Sequence, residues 1–191
     1  MSSYLTELEH QGFAVLDNQL TLEQCKALVQ LGKLTYPMQP AGTGRGSVYQ
    51  KGLLRGDRIH WLSGEQAEEK PVIALFDSVR QTLNERFYLG LASTEAHLAC
   101  YEPGKGYKRH KDTFADQTLT QRRKISTVLY LNPHWTENDG GQLRLYPEGK
   151  AIHDILPIAG RLVMFLSEEM EHEVLPAHQE RWSIAGWHLT R

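Results

Sequence analysis

"RWSIAGWHL", residues 181–189, alternates in the manner of a β-strand: Arg181, Ser183, Ala185 and Trp187 share one face, and His188 faces away. Outward from it, the chain from about residue 95 divides into short runs of the same kind. They are "AHLACYE" (96–102), "KISTVLYLN" (124–132), "GQLRLYP" (141–147), "GRLVMFLS" (160–167) and "HEVL" (172–175), with "NDGG" and "PEGK" as turns. Many short strands at near-regular spacing point to a sandwich or barrel, folds that hold ligands between their sheets or in the barrel mouth.

The first third reads as helical with interruptions. "TLEQCKALVQLGKL" (21–34) opens with Thr21 and Gln24 in capping-box spacing and carries an apolar face of Leu22, Cys25, Leu28, Val29 and Leu31. "KPVIALFDSVRQTLNERFYLG" (70–90) has Pro71 in its first turn, an apolar face through Ile73, Leu75, Phe76, Val79 and Leu83, and a stop at Gly90. "GFAVLD" (12–17) is a short strand ahead of the first helix. The expected fold is mainly β with supporting helices: a jelly-roll core over 95–191, with N-terminal helices from 1–94 packed on one side. Its 191 residues fit one domain, without internal repeats or low-complexity tracts.

Composition narrows the function classes. The net charge of −2 gives no basic balance for nucleic acid, and the run Arg122-Arg123-Lys124 is short enough to be a solvated strand edge. No stretch approaches the ~18 uninterrupted apolar residues of a membrane span. The acidic N-terminal segment lacks the apolar run of a signal peptide. Two cysteines, Cys25 and Cys100, cannot build a disulfide framework and fit a reducing compartment, so a cytoplasmic protein is expected. The Arg55-Gly56-Asp57 tripeptide has no adhesion meaning there.

"YPMQPAGTGRGSVYQKG" (36–52) fits neither regime, with four glycines and two prolines. A loop this long inside a compact domain is usually functional or disordered, and it is expected to be mobile. Its GxGxG run lacks the preceding strand, the following helix and the Lys-Ser/Thr ending of a phosphate cradle.

The chemistry starts at "HKDTF" (110–114). In an extended segment residues i and i+2 point the same way, so His110 and Asp112 can reach one ion together. His172 supplies a third ligand, with His178 in the following turn as its rival. The turn "LPAHQ" is expected to set His172 and Arg181 on neighbouring antiparallel strands. Two histidines and one carboxylate with open positions form the facial triad of non-haem Fe(II) oxygenases. A nearby arginine offers a planar fork for the far carboxylate of a 2-oxo acid. His97, Ala99 and Tyr101 share a face, as do Ser126, Val128 and Tyr130. His10, His60, His134 and His153 lie in polar or turn contexts and read as surface residues.

The segments "RGDRIHWL", "ACYEPGKGYKRHKD", "YLN", "GGQLRLYPEGK" and "HEVLPAHQERWSIAGWH" occur in that order over residues 53–188. In them the chain resembles the prolyl hydroxylase domain family of Fe(II)/2-oxoglutarate oxygenases, the animal oxygen-sensing enzymes and their bacterial relatives. The resemblance implies a double-stranded β-helix, with His110, Asp112 and His172 as iron ligands and 2-oxoglutarate and O₂ as cosubstrates, with ascorbate as a reductant. It implies that Arg181 and Tyr130 meet the distal carboxylate of 2-oxoglutarate and that Tyr101 and Trp187 line the same pocket; the shared faces then put Ser126 in that cosubstrate pocket and His97 at the edge of the site. On the substrate side it implies Arg55, Asp57, Trp61 and Arg123, with Asp57 paired to Arg123. Ala185 departs from the threonine of the animal enzymes.

The activity so implied is peptidyl-proline 4-hydroxylation by a monomer. The partner is a protein substrate with a target proline, elongation factor Tu being the candidate. Loop 36–52, through Arg45, Lys51 and Arg55, would fold over that segment. Hydroxylation of a small molecule or free amino acid is a second reading of the same fold, and a non-catalytic metal-binding jelly-roll sensor a third. A nucleic-acid demethylase is disfavoured, because Trp187 stands where such enzymes have a second arginine.

Overall fold

A computed structural model of the chain describes residues 3–42, 55–113 and 121–191. Helix α1 (Ser3–Gln11) leads into β1 (Phe13–Leu16) and α2 (Leu22–Leu34). The two-residue β2 (Gln39–Pro40) and β3 (Asp57–Trp61) follow, then α3 (Lys70–Phe87). The rest is strand: β4 (Ser93–Tyr101), β5 (Tyr107–His110), β6 (Arg123–Tyr130), β7 (Leu143–Tyr146), β8 (His153–Ile155), β9 (Leu162–Leu166), β10 (Glu171–Val174) and β11 (Arg181–Leu189).

Helices α2 and α3 form where the sequence says they should, whereas α1, ahead of β1, was not expected. Thr21 caps α2, its hydroxyl accepting from the Gln24 amide at 3.2 Å while the Gln24 side chain accepts from the Thr21 amide at 2.8 Å. Pro71 sits in the first turn of α3, and Tyr88, in the left-handed conformation, ends it. Gly32 lets α2 approach the sheet, since a Cβ there would lie 2.5 Å from the Trp182 ring.

The strands make two antiparallel sheets in the jelly-roll arrangement. The larger runs β1-β9-β6-β11-β4-β3-β2 and the smaller β5-β10-β7-β8. Strict alternation gives the large sheet two buried faces. Leu98, Cys100, Ile125, Leu129, Met164, Trp182 and Ile184 pack outward with Cys25 and Leu28 of α2 and Val72, Phe76 and Leu83 of α3. A second core, including Tyr130, Leu143, Leu145, Val163 and Phe165, fills the space between the sheets.

Three expectations change. The six residues after β10 carry the chain from the small sheet to the large one, so His172 and Arg181 face each other across the two sheets instead of lying on neighbouring strands. Arg123 and Lys124 are not at a sheet edge: they open β6, which lies between β9 and β11. Part of the segment read as a loop is strand β2, paired to β3; residues 43–52, with Arg45 and Lys51, lie outside the described residues.

Candidate active site

Between the sheets is a cavity whose wall includes His97, Ala99, Tyr101, His110, Asp112, His172, Arg181, Ser183, Ala185 and Trp187. All four residues of the "RWSIAGWHL" face are there. Strand register sets the rest: on β4, Tyr101 stands opposite Arg181, Ala99 opposite Ser183 and His97 opposite Ala185.

On the small sheet His110 of β5 is paired with His172 of β10. Asp112 follows two residues after His110, its Oδ1 3.6 Å from His110 Nε2 and its Oδ2 3.6 Å from His172 Nε2. The three ligand atoms lie within 4.8 Å of one another. Atoms bound to one ion at about 2.1 Å each stand roughly 3 to 4 Å apart, so the group has the dimensions of a metal site. The outer nitrogens fix the tautomers. His110 Nδ1 donates to the Lys108 carbonyl at 2.7 Å and His172 Nδ1 to the Met170 carbonyl at 3.1 Å, which leaves both Nε2 lone pairs turned inward. Burial pushes the His172 pKa down to about 4. Burial also raises that of Asp112, but the flanking His172 and His110 outweigh it and hold the carboxyl below its usual range. A deprotonated carboxylate with two neutral imidazoles is the donor set a divalent cation needs.

The Ser126 hydroxyl donates to Asp112 Oδ2 at 2.8 Å and lies 2.8 Å from the Ser167 hydroxyl. Ser126 therefore stands behind the carboxylate rather than in the cosubstrate pocket, because Asp112 occupies the space in front of it. Ser167, just after β9, closes the run "GRLVMFLS" and was given no role there. His178 donates to the Asn138 carbonyl, away from the site.

Opposite the triad, Arg181 is 1% exposed. Its Nε donates to the Gly141 carbonyl at 2.7 Å and Nη1 to Ser183 at 3.4 Å, while Nη2 has no partner among the described residues. Gly141, at φ +69°, must be glycine: a Cβ would lie 3.1 Å from Arg181 Cδ and 2.9 Å from Ala177 Cβ. The Tyr130 hydroxyl, also buried, has no hydrogen-bond partner among the described residues, and its ring lies 5.0 Å from Arg181 Cζ. Burial pushes its pKa up to about 12, so it is a neutral donor. An orphaned guanidinium nitrogen beside an orphaned hydroxyl fits a small carboxylate.

Toward the other end, the Arg55 fork closes on Asp57 (Nε to Oδ1 2.6 Å, Nη2 to Oδ2 2.8 Å). This corrects the expected Asp57–Arg123 pair. Arg55, only two residues from Asp57, takes the carboxylate bidentately, and Arg123 instead donates to Glu95 through Nε at 2.9 Å and covers Trp187 at 4.0 Å. Trp61 stays 49% exposed and packs its edge on His97 at 5.0 Å. Tyr107, which sequence reading passed over, lines the cavity and stacks on His110 at 3.6 Å.

A family model of the 2OG-Fe(II) oxygenase superfamily matches residues 96–189. Prolyl hydroxylase EGLN3 of Homo sapiens is 34% identical, over 97% of this chain and 82% of that protein. A crystal structure of a Pseudomonas putida prolyl-4-hydroxylase superposes with a TM-score of 0.86 at 36% identity, over 100% of this chain and 98% of that one. A prolyl hydroxylase from Trichoplax adhaerens, solved with a hypoxia-inducible factor peptide, gives 0.85 at 29% identity, over 97% and 86%. The chain belongs to the prolyl hydroxylase family of Fe(II)/2-oxoglutarate oxygenases. It is a 2-oxoglutarate-dependent prolyl hydroxylase that uses iron(II), 2-oxoglutarate and O₂.

Proposed function

We propose that residues 1–191 act as one domain and a monomer that hydroxylates a proline of a protein, with elongation factor Tu as the candidate substrate. The support for that partner is the resemblance to bacterial prolyl hydroxylases. A cytoplasmic setting fits the two free, buried cysteines; no helix among the described residues is long and apolar enough to cross a membrane.

The observation that carries the site assignment is Arg181 Nη2, without a partner among the described residues, across the cavity from three inward-facing ligand atoms. In this reading His110, Asp112 and His172 hold iron(II). When bound, the metal supplies oxidative decarboxylation of 2-oxoglutarate by O₂, leaving succinate and CO₂ and delivering one oxygen atom to a substrate C–H. The protein positions and excludes. Ser126 holds Asp112 Oδ2, so the carboxylate cannot swing. Arg181 and Tyr130 bind and orient the distal carboxylate of 2-oxoglutarate, and Tyr101 and Trp187 shut water from its chain. Arg55, Asp57, Trp61 and Arg123 shape the substrate end, Arg55 and Arg123 by fixing Asp57 and Trp187.

The test is incubation with Fe(II), ascorbate, 2-oxoglutarate and elongation factor Tu, following succinate and the mass of tryptic peptides. One added oxygen on a proline, dependent on 2-oxoglutarate, is expected. Succinate formation without any change in elongation factor Tu would transfer the activity to another protein or a small molecule. No succinate under any condition would reject the site assignment.

A further inference from the structure

His97 is a buried titratable group, 1% exposed, for which the mechanism above has no use. It stands on β4 opposite Ala185, four residues along β11 from Arg181. Four residues of strand span about 13 Å, so His97 stands well away from the Arg181 anchor, at the end of the cavity where Trp61 and Trp187 pack on it at 5.0 and 5.2 Å.

Its hydrogen bonding fixes its tautomer. Arg55 Nη2 lies 3.3 Å from His97 Nε2. A guanidinium nitrogen can only donate, and Nη2 carries two hydrogens: one goes to Asp57 Oδ2 and the other to His97. His97 Nε2 is therefore the acceptor, and a neutral imidazole must then carry its proton on Nδ1. Neutrality follows from burial and the adjacent Arg55 cation, which push the pKa down to about 3. Nδ1–H is buried and has no partner among the described residues. An unpaired buried donor is costly, and this one belongs to a residue on the cavity wall.

Building on the prolyl hydroxylase reading, we infer that His97 is a substrate-positioning residue whose Nδ1–H donates to a backbone carbonyl of the peptide segment carrying the target proline. Proline suits such a donor, because its residue offers a carbonyl and no N–H that would oppose it. Asp57 and Arg55 are then the support that keeps the donor on Nδ1.

Two measurements test this. Long-range ¹⁵N–¹H correlation of the imidazoles in the Zn(II)-loaded protein should show His97 as the neutral Nδ1–H tautomer; an Nε2–H tautomer would overturn the inference whatever the substrate proves to be. With elongation factor Tu as probe, His97→Leu should raise its KM roughly tenfold and leave the KM for 2-oxoglutarate unchanged. His97→Asn, whose amide N–H replaces Nδ1–H, should stay within a fewfold of wild type. An unchanged protein KM in His97→Leu, or an equal rise in that for 2-oxoglutarate, would sink the assignment. Failure of the wild type to hydroxylate elongation factor Tu would count against that substrate, and the tautomer would still decide the inference.

Discussion

Two arginines reach into the same cavity, and they differ in one respect. Arg55 has its carboxylate in the protein: Asp57, its side chain fully buried, takes the fork from both sides. Arg181 is more deeply buried, yet no carboxylate pairs with it among the described residues, and one nitrogen is left without a partner. A buried cation without a counter-charge is expensive. The difference teaches which arginine is structural and which waits for a ligand: the protein completes Arg55, and in the proposed reading the distal carboxylate of 2-oxoglutarate completes Arg181. Position in the cavity would not have separated them.

The largest effect is expected at the triad that faces both arginines. His110→Ala, Asp112→Ala and His172→Ala should each abolish turnover, while His178→Ala keeps most of it, as read from succinate formation. Asp112→Glu should fail too, because an added methylene shifts the oxygen beyond the ~0.2 Å tolerance of metal-ligand distances.

Next comes the structural arginine. Asp57→Ala leaves Arg55 buried without a counter-charge and should cost about 3–5 kcal/mol in unfolding free energy. Denaturant titration of the metal-free protein checks it; a loss under 1 kcal/mol would mean that Arg55 is as free of its carboxylate as Arg181 is. The smallest effect belongs to a third arginine. Glu95, its side chain 35% exposed, pairs with Arg123. Glu95→Ala should cost about 1 kcal/mol or less, since Arg123 keeps its seat over Trp187 at 4.0 Å.

Much of this was legible in the sequence, for a physical reason. Period-two alternation in "RWSIAGWHL" assigned four residues to the cavity because a strand has only two faces, and all four line it. Capping chemistry did the same for α2. What failed were relations that depend on where a connection leads. The turn after His172 has the length of a hairpin, yet it crosses between sheets, and spacing cannot tell the two apart. Strand β5 escaped notice because "YKRH" has no apolar alternation. Ser126 was given the correct face, but its bond to Asp112 joins residues fourteen apart on separate segments, a contact that spacing within one strand does not show. The Arg55–Asp57 pair did carry a signal: residues two apart in an extended run share a side, and the distant Arg123 was preferred only through family resemblance.

The most direct test of this account is a calorimetric titration of 2-oxoglutarate into anaerobic, Fe(II)-loaded protein, comparing Arg181→Lys with Arg55→Lys. A bidentate, charge-assisted anchor contributes ~1.5–3 kcal/mol. Arg181→Lys should therefore weaken 2-oxoglutarate about ten- to a hundredfold with iron binding intact, while Arg55→Lys leaves the Kd near that of the wild type. An unchanged Kd in Arg181→Lys, with the loss appearing in Arg55→Lys instead, would contradict the account.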